Sequence, residues 1–106
     1  MNFDEISFLS KLKMAKNTNS TPEILEKLSD DISENIRIQV CINKNCPIHI
    51  LEKLSDDEVY YVKTSVVKNI KCTYEILKKL YKYDDDDKNL KEIIAIHPNW
   101  KIKDFI

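Results

Sequence analysis

Thiols and imidazoles are the side chains of this sequence with the most latent chemistry. The thiols are Cys41, Cys46 and Cys72, and the imidazoles are His49 and His97. A thiol at a helix N-terminus ionises readily, because the helix dipole favours its anion. Cys46 and Cys72 each precede an apolar helical pattern and read as such N-caps. Cys46 and His49 also have the i, i+3 spacing of a ligand pair. A structural zinc site needs four ligands, and the chain has no C-x-x-C or H-x-x-x-H pair, so no metal and no cofactor are expected. An odd number of Cys leaves no complete disulfide framework. Cys41 falls in an apolar column and reads as a small core residue. No Ser-His-Asp set, Gly-rich phosphate loop or paired catalytic carboxylates can be assembled, so the chain is expected not to be an enzyme.

Charge offers binding chemistry instead. Between Lys63 and Lys82 there are six Lys and one acid, Glu75, interleaved with the rings of a Tyr-rich stretch. The candidate partner-binding residues are Tyr60, Tyr61, Lys63, Lys78, Lys79 and Lys82. Tyr enrichment fits a protein or peptide partner. The alternative is nucleic acid held by the Lys- and Tyr-rich region 60–82, through ring stacking and phosphate contacts. It is disfavoured by a net charge of −1 and by Arg37 being the sole Arg, since Arg dominates bidentate phosphate and base contacts. Asp84–Asp87 lacks the Asp-x-Asp-x-Asp-Gly spacing of a calcium loop and reads as an exposed turn.

The elements that position these groups follow from a repeat. Leu25-Glu-Lys-Leu-Ser-Asp-Asp31 returns as Leu51-Glu-Lys-Leu-Ser-Asp-Asp57, 26 residues later, and Leu77-Lys-Lys-Leu80 follows at the same interval. A fixed period of this length marks units too small to bury their own apolar face, which must stack on one another. Ile24-Leu25-x-x-Leu28, Ile50-Leu51-x-x-Leu54 and Ile76-Leu77-x-x-Leu80 predict a helix A in each unit, about 21–29, 47–55 and 73–82. Ile36, Val40 and Cys41, then Val62, Val66 and Val67, then Leu90, Ile94 and Ala95 predict a helix B, about 34–42, 59–68 and 88–96.

Boundary residues agree with these spans. Ser20 and Glu23 fit a capping box, and Pro22 and Pro47 sit in first turns. Asn17, Asn43 and Asn69 follow each helix B, where a left-handed residue is expected and Asn substitutes for the Gly this chain lacks. Arg37, Lys63 and Lys91 share one column, and Asp31 and Asp57 lie in the turn before it, so two of three rungs have an Asp available and a charge ladder is favoured over the alternative, a basic groove for phosphate. Residues 3–16, with Ile6, Phe8, Leu9 and Leu12, read as a leading helix covering the first unit. Trp100 falls in the Ser20, Cys46 and Cys72 column, where it would plug the far end. Leu51→Ala is expected to cost more than Leu25→Ala, because Leu25 is nearer an end of the stack.

Taken together, Ile36-Arg37-x-x-Val40-Cys41-Ile42-Asn43, Val62-Lys63-x-x-Val66-Val67-Lys68-Asn69 and Leu90-Lys91-x-x-Ile94-Ala95-Ile96-His97-Pro98 form a pattern with the Leu-x-x-Leu-x-x-Asp stretches. It resembles the leucine-rich repeat variant family, a member of the HEAT-like α-solenoids, over about residues 14–106. The third unit departs from it, with Tyr83 at the expected Asp and an insertion at Asp84–Asp87. The resemblance implies α-helices alternating with shorter, partly 3-10, helices in a right-handed superhelix, and no catalytic residues. The expected architecture is all-α: a short right-handed α-solenoid of about three to four two-helix repeats in one domain. Residues 1–16 form the cap, 17–42, 43–68 and 69–96 the repeats, and 97–106 a partial repeat or second cap. The expected role is a non-catalytic protein–protein interaction module. No apolar run approaches the ~20 residues that span a bilayer. The acidic start, Met1-Asn-Phe-Asp-Glu5, has no signal-peptide pattern, so a cytoplasmic location is expected.

Overall fold

The computed structural model describes residues 3–83 and 88–101. Asp84–Asp87 and their expected turn lie outside the described residues. Among those described there are seven α-helices and no strand. A 3-10 turn, Phe3–Glu5, is followed by α1 (Phe8–Lys16), α2 (Pro22–Leu28), α3 (Glu34–Ile42), α4 (Ile48–Leu54), α5 (Tyr60–Lys68), α6 (Tyr74–Tyr83) and α7 (Lys88–Ala95). The A-type helices are α2, α4 and α6; the B-type helices are α3, α5 and α7. None exceeds ten residues, too short to persist alone in water, so packing must hold them.

The packing has two layers. α1 packs on α3, α3 on α5 and α5 on α7, while α2, α4 and α6 pack against helices of that first layer. The result measures 50 × 25 × 16 Å. One core runs through it, containing Leu25, Leu28, Ile36, Val40, Ile50, Leu51, Val62, Val66, Leu77, Leu90 and Ile94, each at most 1% exposed. These are the residues of the two apolar sets. Ala95 departs from its column: it is exposed, while Cys41 and Val67 are 0% and 1% exposed, because among the described residues no further helix packs beyond α7.

The leading segment is not one helix. Ser7 interrupts it and caps α1, its Oγ accepting from the Ser10 amide at 3.2 Å. Phe8 and Leu9 do not cover the first unit and are 51% and 59% exposed. The covering falls to Ala15, fully buried, and to Phe3, Leu12 and Met14 packed on the core. α1 therefore takes the place of a B helix, with Ala15 in the column of Cys41 and Val67. Leu25 is thereby as buried as Leu51, at 0% exposure, which removes the expected reason for Leu25→Ala to be the milder change.

Candidate interaction surface

Three sets of polar contacts recur along the layers and fix what each face can present. The first belongs to the Asn column. Asn17, Asn43 and Asn69 are C-caps with φ of −72°, −64° and −77°, and no described residue has positive φ. The left-handed expectation fails, because these residues turn the chain by side-chain bonds. Asn43 Oδ1 accepts from the Asn45 amide at 2.9 Å, and Asn69 Oδ1 accepts from the Lys71 amide at 2.9 Å. The other end of each amide reaches the previous unit. Asn43 Nδ2 donates to the carbonyls of Ala15 and Asn17 at 2.8 and 3.0 Å. Asn69 Nδ2 donates to those of Cys41 and Asn43 at 2.8 and 3.1 Å. His97 fills the same column. Its Nδ1 accepts from the Asn99 amide at 3.0 Å, so Nε2 carries the proton and donates to the Asn69 carbonyl at 2.9 Å. The sequence reading aligned His97 with Asn43 and Asn69 but missed its bonding role, because its acceptor, the Asn69 carbonyl, lies 28 residues away.

The second set is the charge ladder, which runs across units instead of within them. Lys11 Nζ lies 2.8 Å from Asp31 Oδ2, and Arg37 Nε lies 2.8 Å from Asp57 Oδ2. Arg37 also donates from Nη1 to the carbonyl of Asp31 at 2.8 Å, clamping two successive turns. Burial alone would raise the Asp31 carboxyl. The Lys11 ammonium, the Ser33 amide and the Arg37 guanidinium together hold it below its ordinary 3.8. Lys11 was the rung that the sequence reading overlooked. The third set lies on the A helices: Lys53 sits between Glu26 and Asp30, and Lys79 between Glu52 and Asp56.

The thiols are withdrawn from chemistry. The N-caps of α2 and α4 are Thr21 and Pro47, each one residue later than expected, and Thr73 Oγ1 accepts from the Ile76 amide. Ser20 instead donates to the Met14 carbonyl at 2.6 Å. Cys46 and Cys72 are 0% exposed, and burial pushes both thiols up to about 12. Cys41 is raised further by the same cause. All three are free cysteines. Among the described residues no group of three or more His, Cys, Asp or Glu is placed to hold a metal ion.

The six expected binding residues divide between the layers. Tyr60 and Tyr61 lie on α5, in edge-to-face contact at 5.7 Å between ring centres. Lys63 lies on the same helix in the column of Lys11 and Arg37. Lys78, Lys79 and Lys82 lie on α6, in the other layer, and Lys79 is engaged by Glu52 and Asp56. The six residues thus fall on two helices in different layers.

On the first of these a groove of about 570 Å³ opens between α5 and α7. Tyr60, Tyr61, Thr64 and Lys68 line one wall, and Asn89, Glu92, Ile93 and Ile96 the other. The contact of α7 with α5 is less extensive than that of α5 with α3. The same outward positions continue along the layer. Phe8, Leu9, Ile42, Tyr61 and Ile96 are 51%, 59%, 46%, 66% and 83% exposed, and all fall in the columns that line the groove. No motif signalled this stripe, because polar residues interrupt its columns: Asn35 stands between Leu9 and Tyr61, and Lys68 between Ile42 and Ile96. No family model, curated protein or solved structure matches the chain. Among the described residues no helix is long and apolar enough to cross a membrane.

Proposed function

We propose that this chain is a non-catalytic protein–protein interaction module. In this reading it is a short right-handed α-solenoid of 26-residue units, similar to leucine-rich repeat variant proteins. It receives a protein or peptide on the outward face of α1, α3, α5 and α7. The repeated amide and charge contacts between units, at separations of 20 to 28 residues, support the solenoid reading. One observation carries the function: five large apolar side chains, each 46% or more exposed, share a single face that also holds the groove. Exposed large apolar side chains grouped on one layer mark interaction sites, and Tyr61 beside the groove supplies rigid contact area. We place the module in the cytoplasm, where three reduced thiols are the norm.

The test is affinity capture from cells with the wild-type chain and with Tyr61→Asp/Ile96→Asp, circular dichroism confirming that both are folded. Loss of the same captured protein from the double variant supports this face as the binding surface. Capture that is unchanged by the substitutions overturns it. Material that is nuclease-sensitive and lost steeply with salt would transfer the function to nucleic acid.

A further inference from the structure

The A-helix layer carries a charge pattern that reverses sign at one end. Lys53 Nζ lies 3.2 Å from Glu26 Oε2 and 2.7 Å from Asp30 Oδ1. One unit on, Lys79 Nζ lies 2.8 Å from Glu52 Oε1 and 3.2 Å from Asp56 Oδ1. α2 and α4, each with the turn that follows it, therefore offer an acidic pair toward the next A helix, which answers with one ammonium. On α6 the acidic positions are occupied by Lys78 and Lys82. They stand one helical turn apart, on one edge of the helix. The neighbouring surface is aromatic: the Trp100 ring centre lies 4.9 Å from that of Tyr81 and 5.9 Å from that of Tyr74. Three ammonium groups rest over these rings, Lys78 and Lys101 on Tyr74 and Lys91 on Tyr81.

We propose that this edge of α6 docks an acidic polypeptide segment, whose carboxylate enters between Lys78 and Lys82 where the preceding rungs hold a lysine. Charge complementarity selects the occupant. A second copy of this chain is disfavoured, because its corresponding lysine, Lys27, would meet two like charges and is already placed over the Phe3 ring at 5.3 Å. A phosphate backbone is the poorer fit, because the one Arg, Arg37, is committed to Asp57 and a two-lysine edge matches a single carboxylate. The site is separate from the groove between α5 and α7, so either surface can fail its test without the other.

Trp100 is the sole Trp of the chain and lies at this site, so its emission reports occupancy. The probe is a capped synthetic helical peptide of Glu, Leu and Ala with Glu at i, i+4, titrated into the full chain at low ionic strength. The expected result is a saturable change in Trp100 emission, with affinity at least about tenfold weaker for K78E/K82E. K78Q/K82Q guards against misfolding of the charge-reversed variant and is expected to weaken binding to a lesser degree. Lys44→Glu, at an exposed position in the turn after α3, is expected to leave binding unchanged. No saturable response, or equal affinity in both double variants, overturns the proposal. Tighter, steeply salt-dependent binding of a single-stranded DNA oligonucleotide than of the acidic peptide overturns it in favour of nucleic acid.

Discussion

A single amide, that of Asn43, joins three segments: it turns its own chain through Asn45 and holds the carbonyls of Ala15 and Asn17. Removing it leaves those buried acceptors without their donor, which costs about 1–3 kcal/mol. Asn43→Gly is therefore expected to destabilise as much as Asn43→Ala in urea denaturation. A left-handed residue would instead have tolerated Gly. The thiols make a second prediction at this scale. In the unfolded chain they ionise near 9.0, whereas burial holds Cys46 and Cys72 protonated until about 12. Above pH 9 the unfolded state thus binds fewer protons, so stability falls as pH rises from 9 toward 12. The urea midpoint should drop across that window. Ellman's reagent at pH 8 should react slowly with the native chain and rapidly in urea.

Helix boundaries show which sequence signals carry physical content. Ser29 and Ser55 donate from Oγ to the carbonyls three residues back, and Asp31 and Asp57 accept the amides of Ser33 and Val59 to start the next helix. In the third unit Tyr81 replaces the serine, and α6 runs on to Tyr83. The A and B helices were legible because their apolar spacing is local, and each of those expected spans lies within two residues of the observed one, whereas the leading helix expected over 3–16 begins only at Phe8. The Asn column was visible as a column, but its mechanism was not, since the acceptors lie 26 and 28 residues away. The exposed apolar face was illegible because polar residues alternate with its apolar ones along each column. Asp57 tests the boundary mechanism. Asp57→Ala removes both the Val59 turn bond and the Arg37 partner, and should cost about 2–3 kcal/mol. Asp57→Asn keeps an acceptor for Val59 and should cost less in the same thermal or urea measurement. Equal losses would assign the whole effect to the ion pair.

Across the whole molecule the two ends are built differently. α1 and the Phe3 turn close one end so well that Leu25 is as buried as Leu51. Leu25→Ala and Leu51→Ala are each expected to cost about 2–5 kcal/mol, with a single cooperative unfolding transition. A markedly smaller loss at Leu25 would mean that α1 detaches before the rest of the chain. The radius of gyration, 14.2 Å against the ~13 Å of a rounder chain of this length, reflects growth along one axis.

That axis has a consequence for how such a chain changes length. Asn69 grips Cys41 and Asn43 with the geometry by which Asn43 grips Ala15 and Asn17. Residues 43–68, copied in tandem, would arrive with a donor for the stretch before and acceptors for the stretch after. Every turn so created is made by backbone that any L-residue adopts, with no glycine hinge to conserve. Tandem duplication of this segment is then expected to lengthen the molecule along its long axis, with no redesign of the ends.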